Sequence, residues 1–384
     1  MRPEPKFDRA LLRATTEERL KYFADYRSLH PQLKALCAQI MPIVYAPAGT
    51  NVIMVAGPTG VGKSTLDELL VKRITELALP TLEEDRSRIP VVSFKIPPAE
   101  RGSFRWRDFY VRYLTHLENP LVPFFSRTYC GVRRDGDHST RIAGNNDVGN
   151  LSRAVEIGLR QRRPMATIID EAQHLMRVAS GRKVLDHLDV IKAMADMSGV
   201  LHILIGTYDL VANLELNGQL SRRATTLHFP RYDANRTEDF IRFVSTLNEF
   251  QNHLPLAETP DLLRNKKEIY AYCCGCVGVL KNWMERALSS ALESDAKTLT
   301  FDDLKARRLA PKLCLTIAGE IAKGEAMFAE LEEGESLLYD HFGLGSPNLT
   351  ASGDQAKILK AGKRRGVGNR LPTRDAVGGA ENAA

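Results

Sequence analysis

The chain has 384 residues, of which 43% are hydrophobic and 26% are charged. This composition is ordinary for a soluble protein with a buried core, and the length exceeds that of one average domain. The net charge of +6 is compatible with a nucleic-acid partner but is too small to establish one. A membrane span is not expected, because the sequence has no run of about 18 apolar residues.

The N-terminal stretch up to Leu20 lacks the apolar core of a signal peptide, and the six cysteines show no disulfide-framework spacing. Both observations predict a protein of a reducing cytosol. Cys273, Cys274 and Cys276 are close together, but no second Cys or His pair follows at zinc spacing. We therefore expect these cysteines to be small buried apolar residues.

Two helices are predicted in residues 8–45. The sequence TTEE at residues 15–18 resembles a capping start, and Pro31 suits the first turn of the second helix. Leu33, Leu36 and Ile40 give that second helix an apolar stripe. The segment is expected to be a lid or a docking element against a nucleotide-binding domain.

An apolar β-type run at Val52–Ala56 leads into the sequence GPTGVGKS and then into an amphipathic helix pattern. This is the P-loop pattern G-x-x-x-x-G-K-[ST] in its strand–loop–helix setting. Glycines let backbone N–H groups point at phosphate oxygens, and the helix N-terminus adds a positive dipole. Lys63 is expected to reach the β- and γ-phosphates, and Ser64 to hold Mg²⁺. The residues predicted to bind a nucleoside triphosphate are Gly57, Pro58, Thr59, Gly60, Val61, Gly62, Lys63, Ser64 and Thr65.

Strand patterns alternate with helix patterns up to about residue 229, which predicts a parallel sheet covered on both faces. Strands are predicted at residues 90–96, 165–169, 200–205 and 225–229. Helices are predicted at about 63–79, 148–162 and 184–197, and a further helix opens in the stretch 101–107 and continues to about residue 117. A polar linker is expected at 81–88, and an irregular, functional loop at 118–147.

Beyond residue 235 the strand patterns stop. Helices are predicted at 235–250, 259–273, 278–294, 301–309 and 312–341. The predicted division is an N-terminal helical extension (1–45), a nucleotide-binding α/β domain (46–232), a small helical lid domain (233–342) and a basic tail (343–384) that is disordered when free. The cluster KRR at 363–365 suits contact with DNA or a partner, or simply solubility.

The predicted strand at 165–169 is followed by Asp170 and Glu171, a Walker B pattern. Asp170 is expected to hold the Mg²⁺ shell, and Glu171 to orient and deprotonate the attacking water. Acidic pairs after a strand are also common as helix N-caps, but the P-loop upstream favours the catalytic interpretation. Both acids are expected opposite Lys63 at the carboxyl edge of one sheet.

Further candidates for the chemistry are single residues. Thr207 follows an apolar strand and is placed to hydrogen-bond the γ-phosphate or the lytic water, although a helix cap is an equal alternative. Arg222 or Arg223 can reach a neighbouring subunit's γ-phosphate, whereas surface arginines are usually only solvated. Lys281 opens a helix of the predicted helical domain and is a candidate to bend over the phosphates.

The stretch RGSFRWR at residues 101–107 is basic and aromatic. Cations interleaved with Phe104 and Trp106 suit phosphate contacts, and an exposed basic helix face is an equally good interpretation. No base-reading motif is present.

The order of these motifs resembles that of an AAA+ ATPase and, within that class, the TnsC/TniB group of DNA-transposition regulators, relatives of MuB and IstB. The resemblance spans about residues 45–310. The Walker motifs indicate the fold only; the continuation DEAQHL, the strand ending in GT and the paired arginines point to this group, while archaeal origin-binding and secretion ATPases share parts. The segments that carry it are GPTGVGKST (57–65), TIIDEAQHL (167–175), IGTYDL (205–210), SRRATTLHF (221–229) and GCVGVLKNWMERAL (275–288).

This resemblance implies an ATPase that requires ATP and Mg²⁺ and acts as a switch. Members oligomerise with ATP into rings or helical filaments around double-stranded DNA, link a target selector to the transposase, and disassemble on hydrolysis. The resemblance implies DNA-backbone contacts at Arg101, Arg105, Arg107 and Lys95. The chain departs from the pattern at Lys281, where many AAA+ proteins have arginine. The alternative is an AAA+ switch of a secretion or signalling system, which would need a membrane or peptidoglycan-binding segment.

Overall fold

The computed structural model of the chain describes residues 5–98, 104–117, 132–134, 140–142, 148–176, 181–212 and 224–343. Internal contacts divide the chain into two units, Met1–Leu331 and Glu332–Ala384. The elements discussed below belong to the first unit, except that the last helix continues into the second. The finer division into four domains stays a prediction.

The helices and strands follow the predicted order closely. In chain order they are α1 (Thr16–Asp25), α2 (Pro31–Tyr45), β1 (Val52–Ala56), α3 (Lys63–Glu84), β2 (Val91–Lys95), α4 (Trp106–Leu117), β3 (Val132–Arg134), β4 (Thr140–Ile142), α5 (Val148–Arg162), β5 (Ala166–Asp170), α6 (Gly181–Ser198), β6 (Leu201–Gly206), β7 (Ala224–His228), α7 (Thr237–Asn252), α8 (Lys266–Cys273), α9 (Val277–Glu293), α10 (Phe301–Ala306) and α11 (Pro311–His341).

Three predictions from the sequence were wrong, and two of them concern the ends of helices. Helix α3 continues to Glu84, through most of the expected linker, because its buried stripe (Leu70, Ile74, Ala78) carries the helix past Pro80. Helix α8 begins only at Lys266, after Pro260 and a short 3₁₀ turn. The segment 118–147, expected to be irregular, contains the antiparallel pair β3–β4.

The central sheet has five parallel strands in the order β2-β5-β6-β1-β7. Successive residues of β1 point to opposite faces, so Val52 and Met54 pack with α4, α5 and α6, whereas Ile53 and Val55 pack with α2 and α3. Both faces are therefore buried, as the continuous apolar strands predicted.

The N-terminal helices dock on two different parts of the first unit. A capping box between Thr15 and Glu18 begins α1, and Phe23 of α1 is buried among helices α7–α10. Helix α2 packs on the sheet instead. The core of the helical part includes Trp283, whose Nε1 donates to the Leu304 carbonyl at 2.6 Å.

The described cysteines are free and buried, as expected; they are Cys37, Cys273, Cys274, Cys276 and Cys314. Within the described ranges, no cluster of three or more His, Cys, Asp or Glu side chains is suited to a metal ion. None of the helices in those ranges combines the length and apolar character that crossing a membrane requires.

A buried polar network crosses the sheet. The Tyr113 hydroxyl lies 2.6 Å from Thr167 Oγ1 and 2.9 Å from His202 Nε2, and His202 Nδ1 lies 2.8 Å from the Val200 carbonyl. Because a carbonyl only accepts, we assign the ring proton to Nδ1, so that Nε2 accepts from Tyr113. Burial lowers the pKa of His202 to about 4 from its ordinary value of 6.5.

Below pH 6.5 His202 is protonated in the unfolded chain, whereas in the folded chain it is protonated only below about pH 4. The free energy of unfolding therefore falls as the pH decreases from 6.5 to 4. We expect His202→Gln, whose amide can serve both partners, to reduce the loss of unfolding free energy between pH 7 and pH 4.5 by about 2 kcal/mol. Urea unfolding at the two pH values measures this. His116→Gln, an exposed change on α4, is the control, and equal pH slopes in both variants would contradict the assignment.

Candidate nucleotide-binding site

A cleft of about 1010 Å³ opens where β1, β5 and β6 end. Parallel strands end at the same edge, so the structure brings together the P-loop after β1, Glu171 after β5 and Thr207 after β6. Helix α9 and the first part of α11 line the same cleft. Its size matches that of a nucleotide or cofactor site.

The P-loop depends on its glycines for both conformation and space. Gly60 and Gly62 have left-handed φ angles of 79° and 117°, which other residues rarely adopt. At Gly57 a Cβ atom would lie 2.3 Å from the Phe229 carbonyl oxygen. Gly62 caps α3 without a side-chain hydrogen bond, and residues 62–65 line the cleft. The first N–H groups of α3 are thus placed for an anion.

Lys63 supplies a buried cation beneath this loop. Its side chain donates to the carbonyl oxygens of Gly57 and Pro58 at 3.0 and 2.8 Å, and the residue is only 8% exposed. Burial lowers the pKa of Lys63, while the charges of Glu171 and Asp170 oppose that effect. An anionic phosphate group would fit this ammonium, because it would replace the stabilisation of the charge that the lysine loses when it is removed from water.

Asp170 is a fully buried acid beside the first turn of α3. Its Oδ2 accepts from Ser64 Oγ at 3.2 Å and lies 3.2 Å from Lys95 Nζ, while its Oδ1 accepts from the Glu171 N–H at 2.9 Å. A serine hydroxyl beside a carboxylate is an oxygen donor pair of the kind that Mg²⁺ prefers. These two residues fit the expected metal, which would neutralise charge on the phosphates of a bound nucleotide.

Glu171 is linked to Thr207 through a residue that the sequence analysis did not single out. Gln173 Nε2 donates to Glu171 Oε2 at 2.5 Å, and Gln173 Oε1 accepts from the Thr207 N–H at 3.2 Å. Gly206 makes room for this bridge, since a Cβ there would lie 2.8 Å from Gln173 Oε1. The signals in the sequence were a polar residue two places after the acid and a glycine before Thr207.

Two unusual features accompany this bridge. Glu171 has a left-handed backbone with φ 59°, which costs a non-glycine residue about 1 kcal/mol. The Thr207 hydroxyl is buried and has no hydrogen-bond partner among the described residues. A hydroxyl in that state suits a ligand oxygen in the cleft.

Helix α9 rests directly on the P-loop. The N–H groups of Gly278 and Val279 donate to the Gly60 carbonyl at 2.7 and 3.3 Å. Lys281, one turn further on, lines the cleft, and its ammonium donates to the Ala24 carbonyl of α1. Burial lowers the pKa of Lys281. Its predicted role over the phosphates stays a prediction.

Helix α11 forms the far wall of the cleft. Glu320 and Lys323 line it, and Gly324 packs on the ring of Tyr208, where a Cβ would lie 2.0 Å from a ring carbon. The Arg231–Glu325 ion pair at 3.1 Å fixes this part of the helix. Nothing local in the sequence indicated these contacts, because α11 lies far downstream of the strands it meets.

The remaining predicted residues lie elsewhere. Arg101, Arg222 and Arg223 are outside the described residues. Arg105 and Arg107 are exposed at the start of α4, and Arg105 lies 3.9 Å from Asp108.

The aromatic residues of this stretch do not share the exposure of the arginines. Phe104 and Trp106 pack against the core and contact His187, with ring centroids 5.4 and 5.1 Å apart. Lys95, predicted to contact DNA with the arginines, has its ammonium on Ser64 and Asp170.

Comparison with known proteins gives one family match. Residues 48–214 match the family model described as "AAA domain". No curated protein sequence matches the chain.

Several solved structures are similar at low identity. The ORC2 protein of Aeropyrum pernix, in ADPNP–ADP complexes, is 16% identical over 76% of this chain and 72% of its own, with a TM-score of 0.48. A Walker-type ATPase of Pyrococcus abyssi is 16% identical over 81% and 79%, with a TM-score of 0.42. The ORC1 protein of Aeropyrum pernix, in complex with DNA, is 16% identical over 75% and 68%, with a TM-score of 0.43.

Thr207→Val tests the role of the unpaired hydroxyl. We expect the stability of the nucleotide-free protein to stay unchanged or to rise by about 1 kcal/mol, because a buried unsatisfied hydroxyl is removed. ATP turnover is expected to fall at least about tenfold. Thermal unfolding and phosphate release measure the two effects. In the control Thr167→Val, the lost bond to Tyr113 should lower stability and leave turnover unchanged; the reverse pattern would refute the role.

Gly278→Ala tests the contact between α9 and the P-loop. The new Cβ would lie 2.7 Å from the Gly60 carbonyl oxygen, so the helix must move away. We expect ADP to bind about tenfold more weakly, a loss of about 1.4 kcal/mol measured by calorimetry. Gly319→Ala, in α11, meets nothing within 4 Å and should leave the ADP affinity unchanged. Equal affinities in both variants would mean that the contact is irrelevant to binding.

Proposed function

We propose that this chain, in which residues 48–214 form an AAA domain within an AAA+ fold, is an ATP-dependent regulator of DNA transposition. It oligomerises with ATP on double-stranded DNA, links target selection to transposase recruitment, and disassembles when ATP is hydrolysed. The observation that carries the ATP-dependent part of this proposal is the hydrogen-bonded bridge from Glu171 through Gln173 to Thr207 beside the P-loop, whereas the role in transposition rests on the resemblance to the TnsC/TniB group. We place it in the bacterial cytosol.

The site supports ATP as its ligand. The N–H groups at the start of α3 and the buried ammonium of Lys63 provide an anion site for phosphates. The cleft extends from there to Lys281 and to Arg27, which is ion-paired to Glu68 at 2.9 Å. The cleft volume of about 1010 Å³ leaves room for the base and ribose of a nucleotide beside its phosphates.

Hydrolysis is assigned to the groups at the strand ends. Ser64 and Asp170 would hold Mg²⁺, Lys63 would stabilise charge on the phosphates, and Glu171 would take the proton of the attacking water. The hydrogen bond from Gln173 fixes one carboxylate oxygen of Glu171 and leaves the other for the water. Arg222 or Arg223 of a neighbouring copy would supply the arginine finger.

DNA binding rests on the resemblance to the TnsC/TniB group and on exposed cations. Arg105 and Arg107 are exposed at the start of α4, next to Arg101 in the sequence, and the chain carries a net charge of +6. Such contacts reach the phosphate backbone and are independent of base sequence. The transposase and the target selector are partners that the resemblance alone implies.

Glu171→Gln separates assembly from hydrolysis. It retains the shape of the side chain and removes the base, so we expect turnover to fall by about 10²–10⁴-fold while ATP-bound oligomers persist on duplex DNA. Lys63→Ala should prevent assembly, because the phosphates lose their buried cation. Turnover assays and light scattering with a DNA duplex measure both.

The matched control is Glu76→Gln, the same chemical change at an exposed position of α3, which should behave as the wild type. Normal turnover by Glu171→Gln would refute the catalytic assignment. Wild-type protein that stays monomeric with an ATP analogue and duplex DNA, or that shows no DNA affinity even at low salt, would refute the DNA-bound switch and favour a secretion or signalling role.

A further inference from the structure

Lys95 ends β2 directly opposite Asp170 on β5. Its ammonium donates to Ser64 Oγ at 3.2 Å and lies 3.2 Å from Asp170 Oδ2. The carboxylate has no solvent exposure, whereas 58% of the Lys95 side chain is exposed. A flexible cation reaching in from solvent therefore neutralises a buried acid.

The two oxygens that Lys95 contacts are the two that fit Mg²⁺. The Lys95 ammonium lies 3.2 Å from both Ser64 Oγ and Asp170 Oδ2, so a metal held by the same two oxygens would be close to it, and like charges that close repel strongly. The hydroxyl of Ser64, now an acceptor from Lys95, would also have to offer its lone pair to the metal. The ammonium and Mg²⁺ therefore exclude each other.

Among the described residues, the other acids near Lys95 already have hydrogen-bond partners of their own. Asp67 is already engaged, because it accepts from Ser93 Oγ at 2.7 Å. Glu171 is bonded to Gln173. An ammonium displaced from Asp170 would therefore move outward, along the direction in which its side chain is already exposed.

We propose that Lys95 is an exchangeable counter-ion of Asp170 that competes with Mg²⁺, and that metal loading frees its ammonium for a nucleic-acid phosphate. The release step rests on the proposed function, because it needs DNA as the acceptor. Linkage makes the effect reciprocal: DNA that holds Lys95 strengthens metal binding by the same factor. Lys95 would then connect the nucleotide site with the DNA surface.

The metal half is tested without DNA. A fluorescent ADP analogue is titrated with Mg²⁺ on the full chain, and the metal concentration at half-saturation is compared between variants. Lys95→Gln leaves a donor for Asp170 but no competing charge, so we expect Mg²⁺ to bind about five- to tenfold more tightly. Lys95→Arg keeps the charge and should resemble the wild type.

The control is Lys72→Gln, the same change at an exposed position of α3, which should leave the Mg²⁺ affinity unchanged. An unchanged or weaker Mg²⁺ affinity in Lys95→Gln overturns the proposal. Thermal unfolding checks that the variant folds. The same Mg²⁺ titration of the wild-type protein, with and without duplex DNA, needs no variant: Mg²⁺ should bind more tightly when the DNA is present.

The release half is tested by fluorescence anisotropy of a labelled duplex with an ATP analogue, in Mg²⁺ and in EDTA. Wild-type protein should bind DNA more tightly with Mg²⁺, and Lys95→Gln should keep less than half of that gain. Arg107→Gln should weaken DNA binding in both conditions. A full gain in Lys95→Gln overturns the release step. No DNA binding by any protein, together with the expected Mg²⁺ shift, refutes the proposed function and leaves the metal competition standing.

Discussion

The buried carboxylate of Asp170 is the constraint on which the rest of the site depends. A charge without solvent exposure is stable only if it is paired and hydrogen-bonded. Its partners come from three different places: Ser64 from the first turn of α3, Lys95 from the end of β2, and the N–H of Glu171. By satisfying one acid, the chain fixes the P-loop helix, an inner strand of the sheet and an edge strand relative to one another.

A second constraint links the α/β part of the site to its helical part. Gly60 belongs to the P-loop, yet its carbonyl accepts from the first N–H groups of α9. These groups are normally left without partners at a helix start. Because the contact is between two backbones, no side chain can absorb a displacement. A movement of the P-loop on phosphate binding would therefore be transmitted to α9 and to the core around Trp283.

The sequence predicted what depends on local pattern. Continuous apolar runs such as Val52–Ala56 marked the buried parallel strands, and the rule that such strands end at one edge led us to expect Asp170 opposite Lys63 of the P-loop. It could not predict contacts that depend on how distant elements pack. From the sequence, Lys95 at the end of β2 and Trp106 were both candidates for a nucleic-acid surface. In the structure Lys95 contacts Ser64 and Asp170, and the ring of Trp106 packs against the core. The need for glycine at position 324 of α11 could not be predicted, because it comes from the close contact with the ring of Tyr208.

The strained and unsatisfied groups among the described residues of the first unit show how the residues that we propose for hydrolysis are arranged. The left-handed backbone of Glu171 and the unpaired hydroxyl of Thr207 each disfavour folding by about 1 kcal/mol or more. Both lie at opposite ends of the Gln173 side chain, which holds the acid at one end and the Thr207 N–H at the other. A displacement of the end of β6 by a γ-phosphate would therefore move the Glu171 carboxylate as well. The strained Glu171 backbone and the unsatisfied Thr207 hydroxyl, joined by Gln173, would let the proposed base respond to a bound phosphate. Neither feature stabilises the fold, so a requirement for stability alone does not explain them.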